Sequence, residues 1–427
     1  MKIRQSLFVF LSLITWPALL FPGQTATSSE SSASAPAFEE LPELKASDIL
    51  KPELVKGAHY TIRESVPTWS GMNHFTIDSD YGVFEADGNE ILVTRLREID
   101  GIARLQDVSR TDEFKKSLIA AAKSPVNSAK NIVNDPAQAI SNVPKGIMKF
   151  MGRAKDTVKN MGKSGGRDGS TMKDVMGYSD KKRKLALSMG IDPYSTNPTL
   201  QKQLDEVAWA SWAGGFTFSA ATFPISGPVG AALTATSLNS SIDQLLREKS
   251  PEELAQINRA TFQSVGASSS EASRIVDGGA FTPTQATAFA QALKSLKGVA
   301  NRVAFVHVAA EKSSTEADAT FCVETAKLMS QINQQTPLSR LALLGNFPIC
   351  IARDGTVVVA LQWDYAAWTP RAAMFVEEIE NLATRSAEKK PVTIVLSGEM
   401  SALLRQELQK RGFTVQDRIS KGPLRTS

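Results

Sequence analysis

The chain has 427 residues, with 48 Lys and Arg against 44 Asp and Glu and a formal net charge of +4, so any electrostatic argument about partners has to be local. Two cysteines, Cys322 and Cys350, make no C-x-x-C or other metal-type pattern. Three histidines, His59, His74 and His307, all precede Cys322, which excludes the Cys-then-His order of papain-like peptidases.

Lys2 and Arg4 lead into the uncharged apolar stretch Ser6 to Leu20, which Pro17 and Pro22 interrupt before small residues through Ala26. Positive start, apolar run and small residues in that order read as a secretory signal peptide over residues 1–26. The run of 15 residues is short of the roughly 20 that a spanning helix needs. Its retention as an N-terminal anchor is the alternative. Residues 1–26 hold Lys2 and Arg4 and no acid, so their removal takes the net charge from +4 to +2. Residues 27–44 follow as a flexible tether, because Ser, Thr, Ala and Pro bury too little apolar surface to offset ordering entropy.

Residues 45–106 read as a small antiparallel β domain. Tyr60 and Ile62 alternate with Thr61 and Arg63, and Phe75 and Ile77 with Thr76 and Asp78. Val83-Phe84 and Ile91-Leu92-Val93 are further β-prone runs, joined by the turn sequence Asp87-Gly88-Asn89. Such a half-exposed sheet needs a helix to cover it. Asp78, Asp80, Glu85 and Asp87 cluster here as candidates for cation or paired-carboxylate chemistry, or as solvated loop acids.

Residues 107–300 read as a basic, Ala/Gly-rich helical region. A capping residue before proline marks helix starts at Ser124-Pro125, Asp135-Pro136, Asn197-Pro198, Ser250-Pro251, Thr282-Pro283 and, further on, Thr369-Pro370. Between Lys115 and Lys202 there are 17 Lys and Arg against six Asp. Lys145, Lys149 and Arg153 recur every four residues, as do Lys155, Lys159 and Lys163, with Met and Phe between them. A helix of that pattern suits an anionic membrane surface, and equally a solvated basic helix. Export and the lack of aromatic interleaving speak against nucleic acid. The Gly162–Gly169 loop contains G-x-S-x-G, but no strand precedes it, and Thr157 stands where a phosphate loop needs glycine.

Val207 to Ile242 then runs for 36 residues without a charge. Phe223-Pro224-Ile225-Ser226-Gly227-Pro228 divides it into halves too short to span a bilayer comfortably. It reads as a buried helical hairpin, as a hairpin inserted partly into a membrane with Trp209 and Trp212 at the interface, or as a ligand groove.

Residues 301–427 read as an α/β domain. Val303 to Val308 is an apolar strand-type run, and Thr315 to Ile332 is helical. Asp354-Gly355 joins strands Ile349 to Ala352 and Thr356 to Leu361 as a hairpin. A helix from Pro370 to Thr384, strand Val392 to Leu396, helix Glu399 to Lys410 and a last strand from Phe413 complete a mixed sheet. Cys322 and Cys350 form a candidate disulfide, whose loop is worth roughly 3.6 kcal/mol on the chain-entropy argument. Two buried thiols are the other reading. His307 sits within the apolar run as a core histidine, or as the partner of Cys322. Ser397-Gly398-Glu399 lies beyond a strand's carboxyl end, where open α/β sheets bind ligands.

The expected fold class is α+β: a small antiparallel N-terminal sheet, a helical middle and a C-terminal α/β domain with a mixed sheet. The expected function is that of an exported, non-enzymatic interaction protein of the cell envelope, with no cofactor. Its partner is an anionic membrane surface or an envelope protein, met through Lys145, Lys149, Arg153, Lys155, Lys159, Trp209 and Trp212. A hydrolase-like envelope enzyme with a site around His307, Ser397 or Glu399 is the first alternative. A membrane-inserting, toxin-like protein is the second.

Overall fold

The computed structural model describes residues 38–123, 169–218, 240–385 and 389–419. The fold is α+β, and it opens with an antiparallel sheet of β1 (Glu43–Lys45), β2 (Tyr60–Ile62), β3 (Ser65–Trp69), β4 (Met72–Ser79) and β5 (Gly82–Asp87). β4 is central, pairing with β2, β3 and β5. Period-two alternation sends Tyr60 and Ile62 inward and leaves Thr61 exposed. Ile77 lies opposite Ile62 on one side and Phe84 on the other.

Two one-turn helices, α1 (Ala46–Ile49) and α2 (Pro52–Val55), link β1 to β2, and helix α3 (Asn89–Arg110) covers this sheet, packing Leu92, Leu96 and Ile99 against Leu50, Ile62, Phe75 and Ile77. The expected strand at Ile91-Leu92-Val93 is therefore the first turn of a helix, and Asp87-Gly88-Asn89 is a strand-to-helix junction. Gly88 takes φ 105° there, a left-handed value open to glycine. The β-branched run gave way because Ile91, Leu92, Leu96 and Ile99 continue at helical spacing toward the sheet.

At 22 residues, or about 33 Å, α3 is long enough to serve two cores. Its second half sends Ile102, Leu105 and Val108 into a helical cluster with α4 (Asp112–Lys123), α5 (Gly169–Ser188) and α6 (Pro198–Ala213). Asn197 caps α6 by accepting the N–H groups of Thr199 and Leu200, with Pro198 in the first turn. The sites at Ser124-Pro125 and Asp135-Pro136 lie outside the described residues.

α7 (Ser240–Glu248), α8 (Pro251–Ser264), α9 (Ser269–Asp277), α10 (Pro283–Ser295), α11 (Val303–Lys312) and α12 (Glu316–Gln335) follow. They share one core with the C-terminal sheet. Ser250, Ser268, Thr282 and Thr315 each close a capping box, worth about 1 kcal/mol apiece. α11 corrects the expected strand at Val303 to Val308. A short apolar run carries no period of its own, and here Phe305, Val306, Val308 and Ala309 are all buried on a helix.

The second sheet holds β6 (Leu338–Leu344), β7 (Phe347–Ala352), β8 (Val357–Leu361), β10 (Val392–Leu396) and β12 (Thr414–Gln416), in the order β12-β10-β8-β7-β6. The Asp354-Gly355 hairpin makes β7 and β8 antiparallel, whereas β8, β10 and β12 run parallel, so the sheet is mixed. The parallel strands are joined through α13 (Pro370–Thr384) and α14 (Ala402–Lys410). Two successive crossovers in one direction put both helices on the same face. The last helix starts at Ala402, capped by Ser401. Glu399–Met400, expected as its first turn, is instead a short strand, β11, parallel to β9 (Tyr365–Ala366).

Candidate ligand-binding cavity

Beyond the carboxyl ends of β8 and β10 the chain makes two short excursions that bond to each other. Ser397 N–H donates to Leu361 O, Gly398 N–H to Trp363 O and Glu399 N–H to Asp364 O. The turn between β3 and β4 docks on the first of them: Gly71 O accepts the N–H groups of Asp364 at 2.7 Å and Tyr365 at 3.3 Å. Gly71 holds φ 80°, and a Cβ there would lie 2.5 Å from the Trp363 indole. Only glycine lets the turn come this close.

Between this dock, the sheet and the helices α13 and α14 lies a cavity of about 530 Å³. Leu361 and Ile394 form its floor, with Phe375, Val376 and Ile379 from α13 and Leu404 and Leu408 from α14 as walls. Trp363, Phe347 and Phe375 form an aromatic group, with Phe347 and Phe375 edge-on at 5.3 Å. Its rim includes Leu41 and Trp69, which are 41% and 44% exposed. The Trp69 ring is held by stacking on His74, 3.2 Å between centroids, and His74 bonds Asp87 at 2.7 Å.

Of the residues lining this cavity, Arg371 alone is charged. The others offer only the hydroxyls of Ser70, Tyr365 and Thr369 and the indole N–H groups of Trp69 and Trp363 as polar side-chain groups. The volume lies within the roughly 300–1,000 Å³ of small-molecule sites, which are mostly apolar with a few polar groups.

A second, polar cleft of about 750 Å³ lies among α3, the 187–195 loop, α7, α10 and α12. Most of its charges have their own partners: Glu98 with Arg95 and Asn197, Asp100 with Arg104, Asp243 with Arg247, Glu324 with Lys327. Burial pushes the Asp192 carboxyl up to about 6, against hydrogen bonds from Thr284 and Tyr194. Burial, with Glu324 nearby, pushes Glu90 up to about 7. Glu90 makes no side-chain hydrogen bond among the described residues.

The sequence-based candidates are scattered. Lys145, Lys149, Arg153, Lys155 and Lys159 lie outside the described residues. Trp209 is 3% exposed and packs against Tyr178 and Trp212, with ring centroids 6.4 and 5.5 Å away, inside the helical cluster. Trp212 is partly buried on the edge of that cluster. No described helix is long and apolar enough to cross a membrane.

Cys322 and Cys350 are two free, fully buried thiols, rather than a disulfide. Burial pushes both up to about 12, and Cys322 has Ser313 Oγ at 3.6 Å. His307 is no core residue: α11 presents it at the surface, where it pairs with Glu271 at 2.8 Å and Glu311 at 3.6 Å, away from Cys322. Ser397 is buried with its hydroxyl donating to Trp363 O at 2.8 Å, and Glu399 pairs with Arg418. Asp78, Asp80 and Asp87 each pair with a different base: Arg63, His59 and His74.

The rule about strand carboxyl ends led to Ser397-Gly398-Glu399, which adjoins this cavity without lining it. It missed Trp363, Tyr365, Arg371 and Phe375, whose only signal in the sequence is an aromatic concentration between a strand end and the Thr369-Pro370 cap. No protein-family model, curated protein or solved structure matches this chain.

Proposed function

We propose that the protein is exported and acts at the cell envelope as a non-enzymatic binding protein for an apolar small molecule, held in the cavity between β8, β10, α13 and α14. The observation that carries this reading is the lining itself. A space of about 530 Å³ walled by aromatic and aliphatic side chains, with one charge, favours a ligand that gains by leaving water. Its wall contains no histidine and no carboxylate, so nothing within it pairs a base with the Ser70, Thr369 or Tyr365 hydroxyls.

The described chain begins beside this cavity. Phe38 lies 6.3 Å from Trp368, and Glu39 accepts the Trp368 N–H at 2.6 Å. Residues 1–37 therefore join the fold next to the rim formed by Leu41 and Trp69. A membrane-bound N-terminal segment would hold that rim near lipid, the natural source of an apolar ligand.

Titration with an environment-sensitive apolar dye tests the proposal. One saturable site, displaced by a long-chain hydrocarbon amphiphile and weakened by Ala372→Trp, is the expected result. Dye binding that never saturates, or that Ala372→Trp leaves unchanged, would overturn it.

A further inference from the structure

The one charge in the cavity wall has a definite place. Arg371 is the second residue of α13, after Pro370, and it is exposed. It makes no hydrogen bond and no ion pair among the described residues. The reason is local. Three and four positions on, where a helical arginine finds a carboxylate, stand Met374 and Phe375. Two acids on the neighbouring elements are committed elsewhere. Glu39 accepts the Trp368 N–H at 2.6 Å and the Ser401 hydroxyl at 2.5 Å, and Glu399 pairs with Arg418.

The backbone adds to the same charge. α13 has 15 residues and directs its positive end to the rim. Thr369 Oγ1 takes the Ala372 N–H at 3.2 Å, Thr369 O takes that of Ala373 at 3.0 Å and Pro370 has none to offer, so the donors left at this end are the Arg371 guanidinium and its own backbone N–H.

We infer that the ligand is a single-chain amphiphile with an anionic head: its hydrocarbon chain fills the cavity, and its carboxylate or phosphate is held at the rim by Arg371. This rests on the apolar-ligand reading and adds the head group to it. Apolar lining alone would accept an alcohol, an alkane or an acid alike. A planar guanidinium at the opening, with its forked donors unused, selects the anion.

The test compares a fatty acid, the alcohol of the same chain length and the corresponding monoalkyl phosphate, each displacing the apolar dye from wild type, Arg371→Gln and Arg371→Lys. The expected result is that both anions bind about tenfold more tightly than the alcohol at low salt, with the advantage shrinking as salt rises. Arg371→Gln removes the advantage by weakening both anions far more than the alcohol, while Arg371→Lys retains part of it. Because Arg371 is exposed and unpartnered, both variants should melt with wild type. Equal binding of acid, phosphate and alcohol by the wild-type protein would overturn the head-group inference and leave the apolar site standing. Failure of all three to displace the dye would overturn the apolar site itself, and the inference with it.

Discussion

The Asp364 carboxylate accepts the backbone N–H of Asn89 at 2.9 Å and so caps a helix that begins 275 residues earlier in the chain. The same oxygen accepts the Asn73 N–H at 3.0 Å, from the strand that follows the docked turn. One buried side chain thus ties β4, the start of α3 and the wall of the cavity together. It does so without a cation, so burial pushes its carboxyl up to about 7.

Asp364→Ala should cost about 2–4 kcal/mol, because it removes a cap and leaves two amide donors without their acceptor. Chemical denaturation measures this directly, and a loss below about 1 kcal/mol would show that the joint holds without Asp364.

The pH dependence has a definite sign. A carboxyl at about 4 when unfolded and about 7 when folded binds more protons in the native state between those values. Its contribution is fully present below about pH 4 and is lost as the pH rises through about 7. Asp364→Asn keeps an acceptor oxygen and cannot titrate, so the fall in Tm between pH 5 and pH 8 should be shallower than in wild type. An unchanged slope would contradict this assignment.

Glu90→Gln should raise stability at pH 8 by on the order of 1–2 kcal/mol and change it little at about pH 4. Above about 7 the folded Glu90 carboxylate is charged, half-buried and close to Glu324, whereas at about pH 4 the side chain is neutral in the folded chain and mostly neutral in the unfolded one. Thermal melts at the two pH values separate this from a general packing effect, which would appear at both.

Gly71→Ala should destabilise by about 2 kcal/mol or more, combining a left-handed backbone with a methyl group driven into the Trp363 indole. Because the same turn walls the cavity, dye affinity should fall with stability. A variant that melts lower but binds the dye normally would show that the turn supports the fold and not the site.

Cys322 and Cys350 should resist thiol reagents in the folded protein and take up two equivalents once unfolded, with no change in Tm on adding reductant. An intact mass 2 Da lower without reductant would reveal a bond between them.

Much of the fold was written locally. The start of helix Pro370–Thr384 and the span of strand Val392–Leu396 were legible, because a Thr-Pro cap fixes one and a run of β-branched residues fixes the other. α3 was not legible at its start, because its cap is Asp364 and no local pattern announces a partner so remote. α11 was misread for another reason: a short run of five apolar residues and His307 fits a buried strand and a helix equally well. The cavity was least legible, since Leu41, the Trp69–Gly71 turn, Phe321, Phe347, α13 and α14 meet only after folding. Its approximate position followed from the strand-end rule, while its apolar character depended on side chains from both ends of the chain.

The most direct measurement of the central claim is tryptophan quenching by a fatty acid brominated along its chain. Trp363 and Trp69 line the cavity, whereas Trp209 and Trp212 belong to the helical cluster and Trp368 is buried beside the cavity without lining it. Saturable quenching should appear in the wild-type protein and fall sharply in a Trp69→Phe/Trp363→Phe double variant that still binds the dye. Quenching of the same depth in that variant would place the ligand elsewhere and contradict the account.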